Sequence, residues 1–123
     1  MTTLMDAYRL IKANETFADA VYAKKLDQTK IKPNQTFILV RDSTQELSSF
    51  GSDTFVEMEY AIQVQIFYST SPVTFDYDDV EIKLMKALEN KGFRIQTVRG
   101  RLQDPDTFQD FQTIIISKTK ETI

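Results

Sequence analysis

One alternating stretch, residues 55–68, constrains the fold of this chain more than any other part of its sequence. Every second residue from Val56 to Tyr68 is apolar or aromatic. The intervening positions are mostly polar and include Glu57, Glu59, Gln63 and Gln65. Because side chains alternate across a strand, this pattern predicts a strand with one buried side and one side facing solvent. At roughly 3.3 Å per residue it would span about 45 Å, so we expect the spine of a sheet or an arm that extends beyond it.

Length and composition restrict the class of protein. The 123 residues predict one domain, 1–123, with residues 119–123 as a frayed tail. The sequence contains neither cysteine nor histidine, which removes thiolate metal sites and the commonest general base. The net charge of −3 disfavours binding to nucleic acid, and no apolar run approaches the ~20 residues of a membrane span. The first twelve residues lack a signal-peptide layout, so we expect the chain to be made in a cytoplasm.

The first half of the chain predicts a helix and two strands before the alternating stretch. Residues 3–13 form an amphipathic helix that begins with Thr3 and ends at Asn14, and it packs either on its own sheet or on a partner. Residues 20–26 predict a short strand within a lysine-rich segment, which is either a solvated edge or a contact with an acidic neighbour. Residues 36–42 are apolar on both sides, which predicts a central strand.

A polar segment, residues 42–53, separates these strands from the alternating stretch. It is rich in serine, threonine and aspartate, and we expect a long hairpin loop. Leu47 and Phe50 are apolar within it. They either fold back on the core or anchor another chain.

The second half predicts one more helix and two strands. Residues 76–91 form a helix with Asp76 as N-cap, Gly92 just after its end, and a buried stripe that includes Val80, Leu84 and Leu88. Residues 93–101 and 108–118 are the strands that follow. The predicted class is therefore α+β in the order αβββαββ, with a mainly antiparallel sheet packed by two helices.

The sequence offers no convincing catalytic, metal or cofactor site, and we expect a protein that is not an enzyme. The acidic residues at 76–81 suit the start of a helix better than a metal site. No phosphate-binding glycine motif or nucleophile elbow is present. Arg94, Arg99 and Arg101 are too sparse for a nucleic-acid surface in an acidic protein, and they suit a protein–protein interface.

Three segments resemble a known family of phage proteins. They are EYAIQVQIFY, DVEIKLMKALENKGFRI and RGRLQDPDTFQ followed by a β-rich end. They resemble small tail proteins of siphophages and prophages of Gram-positive bacteria, a family similar in element order to tail-completion or tail-terminator proteins. That resemblance implies a hexameric ring in the virion tail, assembled in the bacterial cytoplasm, which caps the tail tube and joins it to the head connector.

The expected partners are therefore further copies of this chain, the major tail tube protein and a head–tail connector protein. The candidate interface residues are Leu47, Phe50, Glu57, Glu59, Arg94, Arg99 and Arg101. Segment 42–53 would contact the tube or the lumen, and the arginines would bind a neighbouring subunit. Two alternatives stay open: another connector or minor tail component, and a small module that binds a host protein.

Overall fold

Two helices and six strands account for the regular structure of the described residues. The computed structural model describes residues 2–25, 32–50 and 54–121. The elements in chain order are α1 (Thr3–Asn14), β1 (Ala20–Ala23), β2 (Phe37–Phe50), β3 (Phe55–Phe67), α2 (Tyr77–Asn90), β4 (Arg94–Val98), β5 (Leu102–Gln103) and β6 (Asp110–Glu121). The α+β class is confirmed, and the order agrees with the expected one apart from the additional two-residue strand β5.

All six strands lie in one mixed sheet. Its order is β1-β2-β3-β6-β4, and β5 pairs with the start of β6. Every pairing is antiparallel except that of β1 with β2, which is parallel. The alternating stretch is the centre of the sheet, because β3 pairs along its length with β2 on one side and β6 on the other. The expected edge position of the first strand and inner position of the second are confirmed.

Both helices pack against the same face of the sheet, here called the helix face. α1 contributes Leu4, Ala7 and Ile11 to the core, which confirms the expectation that it packs on its own sheet. The other helix contributes the predicted stripe, and the sheet contributes alternate residues of three strands. These buried core residues are Val80, Leu84, Leu88, Ile38, Val40, Ile62, Val64, Ile66, Tyr68, Ile114 and Ile116. None of the helices that the structure describes is long and apolar enough to cross a membrane.

The helix ends agree only partly with expectation. Asp76 is the N-cap of α2, and Gly92 follows its end with φ +94°, as the sequence predicts. α1 starts at Thr3 as expected, but its N-cap is Thr2, because the Thr2 hydroxyl, rather than that of Thr3, accepts a hydrogen bond from the Met5 amide. The expected left-handed end at Asn14 is wrong, since the Asn14 side chain instead donates to the Leu10 carbonyl.

The predicted loop at residues 42–53 is wrong over its first nine residues. They continue β2 as far as Phe50, whose backbone lies opposite Phe55 of β3. The expectation for the Phe50 side chain lies outside the described part of the chain, as do residues 51–53. Residues 119–121, expected to be frayed, pair with Glu57–Glu59 of β3 instead. Strand length in this region is therefore greater than the hydrophobic pattern indicated.

A row of aromatic rings crosses the second face of the sheet, opposite the helix face. Phe67 stacks on Phe37 at 4.7 Å and on Phe111 at 5.4 Å between ring centres. Tyr22 extends the row to β1 through an edge contact with Phe37 at 6.0 Å. The rings belong to four neighbouring strands, so they pack side by side across the sheet and stabilise the register of its central strands.

Candidate protein interfaces

Three strands extend the sheet into an arm at one end. We define the arm as residues 44–47 of β2, 57–61 of β3 and 117–121 of β6, which lie beside one another. β2 enters the arm through a bulge between Asp42 and Thr44, where Ser43 is the extra residue. The first turn of α1 borders its base, where a pocket of about 170 Å³ is lined by residues that include Thr3, Tyr60 and Lys120.

The helix face of the arm is apolar at its centre and basic along β6. Leu47 lies opposite Met58 and is 49% exposed, so this apolar surface continues past the helices. Lys120 extends its ammonium over the Tyr60 ring, 5.7 Å from the ring centre and 3.7 Å from the Asp6 carboxylate. The predicted interface residue Leu47 is therefore on the surface and beside another apolar side chain, as a contact residue would be.

The second face of the arm is acidic. Glu46 of β2 lies directly opposite Glu59 of β3, and Glu57 lies directly opposite Glu121 of β6. Like charges in directly opposed positions destabilise an antiparallel pair. The two glutamates predicted as interface residues thus lie in the arm with Leu47, but on its other face.

Arg101 is held within the chain by a partly buried acidic cluster. Its Nε donates to Glu81 Oε2 at 3.0 Å, and its Nη2 donates to Glu81 Oε1 at 3.1 Å and to Asp78 Oδ1 at 2.6 Å. The Glu81 side chain is nearly buried, and it also accepts hydrogen bonds from the Tyr68 hydroxyl and from Gln112 Nε2. Gln112 in turn accepts from the Gly100 amide at 2.8 Å. The cluster therefore fastens the β4–β5 connection to α2 and β6.

Burial, hydrogen bonds and charge within this cluster shift the pKa of Tyr68 and of Arg101. Burial, followed by the hydrogen bond to Glu81 and its negative charge, raises the pKa of Tyr68 well above its ordinary value. The hydrogen bonds to Glu81 and Asp78 raise the pKa of Arg101 further. Tyr77 stacks on Tyr68 at 3.8 Å between ring centres, and Arg101 lies over the Tyr77 ring at 5.4 Å. Arg101 is thus a permanent cation with its contacts inside the chain.

The three predicted interface arginines do not come together. Arg94 begins β4, opposite Ser117, and Arg99 follows the other end of that strand. Both are exposed, and no ion pair joins either of them to an acidic group within residues 2–25, 32–50 and 54–121. Of the three predicted arginines, Arg94 and Arg99 therefore keep a guanidinium free of ion pairs with the part of the chain that the structure describes.

A second apolar surface, the apolar end, lies at the opposite end of β6 from the arm. It consists of Val98, Leu102 and Phe108, of which Leu102 is 63% and Phe108 is 67% exposed. Phe108 has φ +62°, a left-handed conformation that side chains other than glycine rarely adopt. It borders a cleft of about 500 Å³ that residues 69–73 and Tyr77 also line. The residues predicted for the interface do not include this surface, although Phe108, an isolated phenylalanine in a polar turn, was a usable signal.

Comparison with protein families gives one match. A family model described as a protein of unknown function, DUF806, matches residues 2–121. The chain belongs to the DUF806 family. None of the curated proteins compared matches the chain significantly. Because the DUF806 match spans both helices and the whole sheet, the arm and the apolar end both lie within the family domain.

Proposed function

We propose that this protein is a tail-terminator subunit of a siphophage or prophage, which assembles as a hexameric ring at the end of the tail tube. The observation that carries the proposal is the arm: a three-stranded extension of the sheet with exposed edges and an exposed apolar residue, Leu47. Such a surface is more typical of a protein that contacts another chain than of a monomer. The layout of the helices and sheet, together with the resemblance of its segments to phage tail proteins, supports the same function.

The two ends of the sheet suit the two sides of such a ring. The arm carries charged faces and strand edges that pair with no further strand within residues 2–25, 32–50 and 54–121, whereas the apolar end exposes Leu102 and Phe108. A terminator must contact its own copies, the tube below and the head connector above. In this proposal the arm contacts neighbouring copies, and the apolar end contacts the tube protein or the connector. The ring would belong to the virion tail and would be assembled in the bacterial cytoplasm.

Mixing the purified chain with the matching tail tube protein tests the function. Light scattering measures the mass of the chain alone and of the mixture, and electron microscopy shows whether rings cap the tubes. We expect tubes of limited length with a ring at one end. Tubes that grow equally long with and without the chain, together with a chain that stays monomeric beside them, would contradict the proposal.

A second candidate is a connector or minor tail component of the same fold. The apolar end favours it, because a strained and exposed phenylalanine suits a single tight contact with a different protein. Binding of the isolated connector protein, without any effect on tube length, would support this second function over the first.

A further inference from the structure

The cleft beside Phe108 lies between the connection that follows β3 and the turn that precedes β6. Pro72, Val73, Tyr77 and Phe108 line it with apolar or aromatic surface. Among the described residues that line it, Asp110 alone carries a charge. Its volume of about 500 Å³ is enough for a few side chains of a bound segment.

Hydrogen bonds hold both walls of this cleft in place. In one wall, Thr70 donates to the Pro33 carbonyl through its amide at 2.9 Å and through its hydroxyl at 3.1 Å. In the other wall, the residue after Phe108 is the fully buried Gln109, whose side-chain amide donates to the Gln35 carbonyl at 2.8 Å. Because the walls are fixed within the chain, a partner does not have to order them, and binding costs less free energy.

The turn before β6 keeps the Phe108 ring exposed. The Phe108 amide donates to the Asp104 carbonyl at 2.8 Å, and the Phe108 carbonyl accepts from Gln103 Nε2 at 3.4 Å. Phe108 has φ +62°, and 67% of it is exposed. A residue that is both strained and exposed contributes little to the fold, so its geometry favours contact with another chain.

The charges beside the cleft are negative. Asp110 is exposed, and it forms no ion pair with a lysine or arginine in the described part of the chain. Asp106, in the same turn as Phe108, is also exposed and has no such ion pair among those residues. Arg101 lies over the Tyr77 ring, but its guanidinium is already bound by the acidic cluster described above. The cleft thus combines aromatic surface with unpaired carboxylates.

A basic group next to an apolar side chain matches this combination. The rings of Phe108 and Tyr77 favour an apolar side chain, and the carboxylate of Asp110 favours lysine or arginine. The same negative charge disfavours nucleic acid and anionic lipid, because both present negative groups to a protein. A segment of another protein is therefore the class of partner that fits.

We propose that this cleft binds a segment of the tail tube protein in which a lysine or arginine stands next to an apolar side chain. The basic group contacts Asp110, and the apolar side chain packs against Phe108 and Tyr77. The inference rests on the proposed function, since a terminator must contact the tube, and it adds the surface and the chemistry of that contact. The connector protein and a second copy of this chain are the competing occupants.

Photo-crosslinking from position 108 identifies the occupant. The photoreactive analogue benzoylphenylalanine replaces Phe108 in the full chain, which is mixed with tail tubes and irradiated, and mass spectrometry locates the crosslinked peptide. We expect a peptide of the tube protein that has lysine or arginine beside an apolar residue. The same analogue in place of Ile82, an apolar residue of α2 that is 49% exposed, is the matched control and should crosslink rarely.

Three crosslinking results would overturn the proposal. The first is a crosslink to a segment of the tube protein that has no basic residue. The second is a crosslink to the connector protein, when it is present, or to a second copy of this chain. The third is crosslinking from position 82 that is as frequent as that from position 108.

Removal of the Asp110 charge gives an independent test. Asp110→Asn keeps the backbone carbonyl that accepts from the Tyr68 amide at 2.8 Å, so that hydrogen bond does not depend on the carboxylate. We expect Asp110→Asn to weaken binding to the tube protein roughly tenfold at low salt and less at high salt, and Asp110→Glu to retain most of the binding. Glu89→Gln, which removes an exposed carboxylate near the other end of α2, is the matched control and should bind normally. Unchanged affinity in Asp110→Asn would contradict the proposal.

The outcomes also separate the cleft from the proposed function. Rings on tubes of limited length, without a crosslink from position 108 and with normal binding of Asp110→Asn, would refute the cleft and leave the terminator function standing. Crosslinks to a basic and apolar segment of the tube protein without any effect on tube length would support the cleft and refute the terminator function. A chain that does not bind the tube protein at all would refute both.

Discussion

The guanidinium of Arg101 and the carboxylate of Glu81 form a two-point contact, with N···O distances of 3.0 and 3.1 Å. Glu81 lies in the first half of α2, whereas Arg101 lies in the connection between two short strands. Only 4% of the Glu81 residue is exposed, so its charge depends on this partner and on the neighbouring hydrogen bonds. Arg101 therefore serves primarily to stabilise the fold rather than to form an interface.

Removing that guanidinium should destabilise the chain. Arg101→Ala leaves the nearly buried carboxylate with only the Tyr68 hydroxyl and Gln112 as hydrogen-bond donors, and we expect a loss of about 2–3 kcal/mol in the free energy of unfolding. Urea unfolding followed by circular dichroism measures it. Arg94→Ala is the matched control and should change stability by less than about 0.5 kcal/mol, because Arg94 is exposed. A loss of unfolding free energy in Arg101→Ala as small as that in Arg94→Ala would show that the cluster does not stabilise the fold.

Because Tyr68 is buried as a neutral phenol, we expect the free energy of unfolding to fall in alkaline solution. The unfolded chain loses the phenol proton near pH 10, whereas burial and Glu81 keep it bound to higher pH in the folded chain. Unfolding then releases a proton, so the free energy of unfolding falls by about 1.4 kcal/mol per pH unit above about pH 10. Unfolding of the original chain and of Tyr68→Phe, compared at several pH values from neutral upward, isolates this residue. The advantage of the original chain should shrink above about pH 10, and a constant difference would contradict the assignment.

We expect Phe108 to contribute to the binding of another protein but not to the stability of the fold. Its φ of +62° costs a non-glycine residue on the order of 1 kcal/mol, and its ring is mostly exposed. We expect Phe108→Gly to raise the free energy of unfolding slightly or leave it unchanged, while it weakens binding to the tube or connector protein at least severalfold. Ile82→Ser, which removes an exposed apolar side chain of α2 outside the apolar end, is the matched control for binding. A Phe108→Gly chain that binds normally would remove the apolar end from the proposed contacts.

Relief of the acidic face of the arm should stabilise the single chain. Glu59 lies directly opposite Glu46, and Glu59→Gln removes that repulsion without a change of shape. We expect a gain of about 0.5 kcal/mol in the free energy of unfolding at low salt, and a smaller gain at high salt. Gln63→Glu, on the same face of β3 but opposite Arg41, is a control that should not destabilise. A loss of stability in Glu59→Gln would show that the carboxylate makes a favourable contact instead.

The buried half of the sheet was predictable from sequence, whereas the arm was not. Ile62, Val64 and Ile66 face the helices as their spacing predicts. The prediction was possible because the helix face is buried and the second face is less buried, so that apolar and polar residues alternate along the strand. Residues 42–47 of β2 are exposed to solvent on both faces, so polar and apolar residues do not alternate there. The serine, threonine and glutamine of this segment therefore suggest a loop rather than a strand. Pairing with β3 made that segment a strand, and pairing between distant segments leaves no local signal.

The Arg101 cluster escaped prediction for a related reason. Glu81 was interpreted as one of several acids near the start of a helix, and nothing in the local sequence distinguishes it from Asp78 or Asp79. Its burial follows from the position of Arg101, twenty residues further along the chain, which only the folded sheet fixes. The parallel pairing of β1 with β2 was equally invisible, since it depends on the path of the connection between them.

The bulge at Ser43 separates two parts of β2 that can change independently. Before it, Ile38 and Val40 face the helices, and after it Gln45 and Leu47 do, so one extra residue converts even positions into odd ones. Deleting Ser43 would place Thr44 directly after Asp42 and still opposite Ala61, so Glu46 and Leu47 would keep their present faces. Loss of this one residue would therefore remove the bend that a bulge gives to β2 and leave both faces of the arm, and the core beside them, unchanged.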